Sequence, residues 1–178
     1  MKPVSQVLGE YSAYHRHPLN RMTHYFGIPL IIFSMLLILT IPRITTAHVS
    51  VKGGDILFTI VLAWYLRLDL LLGLLALAFL LPLLLMAEAT SSSLNSTVVN
   101  WLFAFTFIIG WTLQLFGHKI EKRRPALVDN FMQVFCAPLF LVSELVFAMG
   151  LRQQLASQVE KIAQLKALLM INGAKKSK

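Results

Sequence analysis

The chain is short of charge. Of its 178 residues 13% are Asp, Glu, Lys or Arg, against about a quarter in a soluble domain, while 57% are apolar. The mean hydropathy is +0.70. These values exclude an ordinary soluble globule and read as an integral membrane protein, with length for one compact bundle. Cysteine is scarcer still. The single Cys136 lies inside an apolar run, forms no internal disulfide, excludes a Cys-rich zinc site and reads as a small core residue. Negative charge is also in deficit, with 8 Asp and Glu against 16 Lys and Arg and a net charge of +8. The basic residues cluster beside apolar runs, a pattern that fits anionic lipid headgroups. Nucleic-acid binding is excluded by the lack of a soluble basic domain to carry it. No cleavable signal peptide is expected, because the first apolar run starts near Tyr25, behind a polar amphipathic stretch.

What the chain has in quantity is apolar runs. Residues 4–16 read as a short interfacial helix, with Pro18 breaking it or starting the next. Tyr25 to Ile41 is the first span, ending at Pro42, and a polar link from Arg43 to Asp55 follows, with Gly53-Gly54 as a turn signal. Ile56 to Ala87 is too long for one span of about 20 residues and is read as a tight pair, 56–67 and 70–87, turning at Arg67-Leu68-Asp69. Glu88 to Thr97 reads as a Ser/Thr-rich loop, Val98 to Phe116 as a span, and Gly117 to Asn130 as a basic segment. Phe131 to Gly150 is apolar but carries Gln133, Pro138 and Glu144. In 151–171, Leu151, Leu155, Val159, Ile162, Leu165 and Leu169 recur every three or four residues. That is an amphipathic helix, lying on the membrane or pairing with a partner helix, and a route to oligomers. The expected fold class is an all-α polytopic membrane bundle of four to five apolar helices plus this C-terminal helix. Residues 1–150 would be the membrane-embedded catalytic bundle and 151–178 the amphipathic helix and basic tail.

Four of the five histidines fall in two polar segments at the ends of apolar runs: His15, His17 and His24 in the first, His118 in the second. Polar clusters at a membrane boundary are expensive without a function, and imidazole is the commonest protein metal ligand. Gln114, His118 and Glu121, spaced by four and three, share a helical face, as do Asn20 and His24. His15 and His24 are half a turn out of phase on one continuous helix, and a break at Pro18 brings them together. His15, His24 and His118, with Glu121 as ligand or orienting neighbour, then supply three nitrogens and a carboxylate. Such a set suits non-haem Fe(II) that binds substrate and O2. His17 reads as a surface residue and His48 as unrelated. Arg123 and Arg124 either pair with Glu121 and lipid phosphate or hold a fatty-acid carboxylate by a bidentate contact. Tyr11 and Tyr14 read as interface aromatics, Trp64, Trp101 and Trp111 as packing, and Asp69 with Arg67 as a turn pair. Glu144 is expected to bond inside the bundle.

His24 and His118 meet only if an even number of crossings separates them. Four full spans satisfy this, as do two spans plus a re-entrant 56–87 hairpin. With four crossings, eight Lys and Arg lie on the histidine side and two, Arg43 and Lys52, on the other; the C-terminal six make the balance fourteen against two if 131–150 does not cross and eight against eight if it does, and the first is favoured. The positive-inside rule then places both histidine segments in the cytoplasm.

The strings Tyr14-His15-x-x-Pro18-x-Asn20-x-x-x-His24, Gly110-Trp111-x-x-Gln114-x-x-Gly117-His118 and Glu121-Lys122-Arg123-Arg124-Pro125-Ala126-Leu127-x-Asp129-Asn130 resemble the membrane 2-hydroxy fatty acid dioxygenase family, over about Tyr11 to Gly150. The resemblance implies Fe(II)-dependent α-oxidation, in which a 2-hydroxy long-chain fatty acid and O2 give a fatty acid one carbon shorter plus CO2. The family pattern contains His15, His24 and His118 and does not require His17. Asn20, Gln114, Glu121, Arg123 and Arg124 complete the expected site. Membrane lipid is the expected surrounding, and a bacterial inner membrane and the endoplasmic reticulum are both compatible locations. The competing reading is a non-enzymatic lipid-binding or scaffolding bundle. A small transporter fits less well, because the polar groups sit at span ends rather than at mid-membrane.

Overall fold

The computed structural model describes residues 2–46, 49–121 and 130–176. Among them are seven helices and one two-stranded hairpin: α1 (Val4–Ser12), α2 (Pro18–Ile38), β1 (Arg43–Thr45), β2 (Ser50–Lys52), α3 (Gly53–Leu68), α4 (Leu70–Ser93), α5 (Ser96–Glu121), α6 (Gln133–Ala148) and α7 (Gln153–Lys176). The fold is all-α and of the membrane-bundle class. Helices α2, α4 and α5 are long and apolar enough to cross a membrane, and α6 is a shorter apolar helix.

Local chemistry sets the boundaries. Pro18 opens α2 at its first turn, where a missing N–H leaves no bond unmade, and the His17 ring accepts from Leu19 N at 3.2 Å. Asp69 breaks the long apolar stretch: its backbone is extended, and its carboxylate caps α4 by accepting from Leu72 N at 3.1 Å. The same carboxylate pairs with Arg152 at 2.6 Å, so the expected Arg67–Asp69 turn pair is replaced by a tie to the start of α7.

Two expectations are corrected at the opposite end. The Ser/Thr-rich stretch 88–97 is not a loop, since α4 continues to Ser93 and α5 begins at Ser96. The hydroxyls do not unwind the helix because they bond back to it or across to the turn that follows α2: Ser92 Oγ donates to Ala89 O, and Thr40 Oγ1 donates to Ser91 Oγ at 2.7 Å. Asn95 then caps α5 by accepting from Val98 N at 3.0 Å. Gly53-Gly54 is not a turn either. It is the first turn of α3, fixed by Asp55 accepting from Lys52 N, while the preceding link pairs as the antiparallel hairpin β1–β2 with Ile44 opposite Val51. Helix α5 also runs on through the start of the basic segment to Glu121.

Helix α5 has two faces. Trp101, Phe105 and Ile108, at helical spacing, are exposed, whereas Thr106, Gly110, Gln114 and Gly117 are buried against α2. The two helices approach closely because the contact is glycine on glycine. A Cβ on Gly110 would lie 2.7 Å from Ile31 Cγ1 and 3.1 Å from the Gly27 carbonyl. Below this pair, α6 packs on α4 and α1 through Leu139, Phe140 and Val146, and the buried Tyr65 hydroxyl donates to Phe135 O. The inner face of α7 is covered by α1: Leu155, Val159 and Ala163 are buried there, so its partner on that face is a helix of the same chain.

Candidate metal centre

The close α2–α5 contact decides what meets at the end of the bundle. Gly117 lets Asn20 and Thr23 settle onto α5, one residue before His118 and within one turn of His24. Ahead of α2, residues 13–17 fold back from α1 and place His15 beside both. The rings of His15 and His24 are 4.5 Å apart between centroids, and each is 5.0 Å from His118. All three residues are buried, and one ring nitrogen from each lies within 4.8 Å of the others.

Hydrogen bonds fix the rings. His15 Nδ1 lies 2.8 Å from Tyr11 O, and His24 Nδ1 lies 2.7 Å from Asn20 O. A carbonyl only accepts, so both Nδ1 atoms carry the proton and both Nε2 atoms carry a lone pair. Those two Nε2 atoms nonetheless face each other at 3.1 Å. Neutral imidazoles would repel in this arrangement. A cation bound at about 2.1 Å from each nitrogen sets neighbouring ligand atoms about 3 Å apart, which is the spacing found. His118 Nδ1 is buried and has no partner. The donor set therefore fits a metal ion. Burial, followed by the neighbouring His24, holds His15 well below the ordinary histidine range, so its ring is neutral and ready to ligate at pH 7.

The other expected site residues divide into three groups. Glu121 is outside the three-ring cluster: Oε1 accepts from Arg16 N at 2.7 Å and Oε2 from Asn20 Nδ2 at 2.6 Å. It thus ties the loop before α2, α2 itself and the end of α5 together, as an orienting neighbour does. Asn20 is fully buried and relays that tie to His24 through its backbone carbonyl. Gln114 lines a cavity beside the rings. Arg123 and Arg124 lie outside the described residues, as does His48. His17 caps α2 away from the cluster.

That cavity, of about 90 Å³, lies between α2, α5 and α6, walled by Ile28, Ile31 and Ile32 on one side and Val134, Ala137 and Pro138 on another. Its polar lining comes from the three histidines and from Tyr11, Trp111, Gln114 and Gln133. Sequence reasoning missed three of these: Gln133, noted only as a polar residue in an apolar run, Tyr11 and Trp111. Tyr11 is not an interface aromatic but a buried ring stacked on His15, with centroids 4.2 Å apart and planes 13° from parallel. Its place four residues before His15, on α1, was the available signal. Trp111 is a cavity wall whose Nε1 is buried without a partner, rather than plain packing.

Two part-buried ion pairs brace the assembly. Arg21 bonds Glu144 at 2.7 Å, the expected inside bond of that glutamate. Arg16 makes a bidentate contact with Glu160 of α7, at 2.6 Å for each bond, and its guanidinium holds that carboxyl below the usual carboxylate range.

A family model described as 2-hydroxy-palmitic acid dioxygenase Mpo1-like matches residues 1–149. The 2-hydroxy-palmitic acid dioxygenase MPO1 of Saccharomyces cerevisiae is 35% identical over 161 residues, covering 89% of this chain and 88% of the relative. No solved structure matches. The family model takes in α1 to α6, and with them the three histidines and the cavity; this chain belongs to the Mpo1-like family.

Proposed function

We propose that this chain is a non-haem Fe(II) dioxygenase that converts a 2-hydroxy long-chain fatty acid and O2 into the fatty acid one carbon shorter, CO2 and water. The observation that carries the reading is the pair of lone-pair nitrogens, His15 Nε2 and His24 Nε2, held face to face at 3.1 Å beside His118. The yeast relative's name supplies the substrate class. The atoms balance without a separate reductant, because oxidation of the hydroxyl-bearing carbon and loss of C1 as CO2 furnish the four electrons that O2 takes up.

His15, His24 and His118 would hold the iron, which when bound supplies the O2-activating chemistry and a chelating site for the acid. Three protein ligands leave room for both. Tyr11 O and Asn20 O keep the two rings in the ligating tautomer. Glu121 and Asn20 hold the ligand loop at its place on α2. The isoleucine and α6 walls exclude water and admit an apolar acyl chain, each buried CH2 contributing roughly 0.8 kcal/mol. Arg123 or Arg124 would meet the acid head or a lipid phosphate. Both histidine segments face the cytoplasm in this reading, of either a bacterial inner membrane or the endoplasmic reticulum.

The test is metal analysis of the purified chain together with product analysis. About one iron per chain, O2-dependent conversion of 2-hydroxypalmitate to pentadecanoic acid, and arrest by an Fe(II) chelator are expected. An iron-loaded protein that consumes no 2-hydroxy acid overturns the assignment.

A further inference from the structure

Three cavity-lining side chains outside the histidine cluster carry buried polar atoms with no partner: Trp111 Nε1, Gln114 Nε2 and Gln133 Oε1. Gln114 and Gln133 are each 6% exposed. Shutting such a group from water without a bond is costly, so three around one small cavity point to a polar ligand. Among the described residues no lysine or arginine lines the cavity. The group received there must therefore satisfy two N–H donors and one carbonyl acceptor.

We propose, resting on the dioxygenase reading, that these three side chains receive the polar head of the 2-hydroxy acid, and that Gln133 is the residue that recognises its hydroxyl. A carboxylate only accepts, which suits Trp111 Nε1–H and the Gln114 amide N–H. A hydroxyl also donates, and Gln133 Oε1 is the acceptor left for it. A plain fatty acid has the carboxylate but nothing to offer that oxygen. The site then rejects it, because the Gln133 carbonyl stays buried and unpaired. The cavity lies against the three histidine rings, so the part of the acid it receives is the polar end nearest them. Discrimination by Gln133 adds to any preference from chelation at the metal, and the two are separable.

The separation is a binding experiment without turnover. The full-length holoprotein, in nanodiscs and under strict anaerobiosis, is titrated with 2-hydroxypalmitate and with palmitate. Gln133→Met should weaken 2-hydroxypalmitate about 10-fold or more while leaving palmitate unchanged or tighter, with metal content unaltered. A merely structural role for Gln133 would weaken both acids alike. Trp111→Phe should weaken both acids by a similar factor, because the carboxylate is common to them, and this variant keeps the proposal testable should Gln133→Met fail to accumulate. An unchanged ratio of the two affinities in Gln133→Met, or unchanged binding in Trp111→Phe, overturns the proposal and leaves the dioxygenase reading standing. Wild-type protein that binds neither acid overturns both.

Discussion

The two ends of the bundle handle polarity in opposite ways. At the hairpin end, Lys52 and Glu88 pair at 2.8 Å with both side chains partly in solvent, Thr40 and Ser91 are hydrogen-bonded, and Arg43–Thr45 is exposed. At the histidine end, His15, Asn20, His24, Gln114, His118 and Gln133 are all buried. Among the described residues, the five buried side-chain polar atoms without partners all belong to that end: Asn20 Oδ1, Trp111 Nε1, Gln114 Nε2, His118 Nδ1 and Gln133 Oε1. A bundle that closes its polar groups so completely at one end has no mechanical need to leave them open at the other. On the proposed reading, the unmade bonds lie where the acid head and the metal would sit.

The largest effect that can break this comparison comes from the rings. His15→Ala, His24→Ala and His118→Ala should each strip the bound metal and abolish activity, measured by elemental analysis and O2 uptake. Retention of full metal content in all three variants would reduce the histidine end to ordinary packing. Glu121→Ala should be milder, lowering metal affinity roughly 10–100-fold through misplacement of the loop and Asn20, as read by competition with a chelator. Gly117→Ala sharpens the packing side of the contrast. Its Cβ would meet Thr23 Oγ1 and the Asn20 carboxamide, and an overpacked contact of this kind costs about 1–3 kcal/mol, visible as a lowered unfolding midpoint. The smallest effect belongs to the hairpin end, where Lys52→Ala removes a partly solvated ion pair. It should change stability by about 0–1 kcal/mol and leave activity untouched. An activity loss there would erase the contrast between the ends.

The site was legible where residue type and spacing carry chemistry. Three histidines near two helix ends, with Pro18 between His15 and His24, point to one cluster, and the rings do lie together. The break at Asp69 was visible because a carboxylate inside a long apolar run is costly in a continuous span and cheap at a turn that uses it as a cap. The role of Glu121 was not, since a carboxylate beside histidines can ligate or orient, and only the position of Arg16 N and Asn20 Nδ2 distinguishes these. Trp111 and Tyr11 were misread for a related reason. An aromatic in an apolar run looks the same whether it faces outward, as Trp101 does, or lines a cavity, as Trp111 does; the difference lies in which neighbour helix covers it. The persistence of α4 through Ser91–Ser93 was hidden because hydroxyls that back-bond to helix carbonyls have the same composition as a loop.

The clamp between Arg16 and Glu160 spans 144 residues of sequence and lies one residue from His15. A chain is made from its N-terminus, so the loop that carries His15 emerges well before the helix α7 that braces it. His118 also follows His24 only after three further apolar helices have been made. During synthesis the early histidines are thus a pair without their third member and without the brace. If the three rings hold a metal as proposed, the full ligand set exists only once α5 has joined α2, and a chain arrested before α5 carries two histidines without the third.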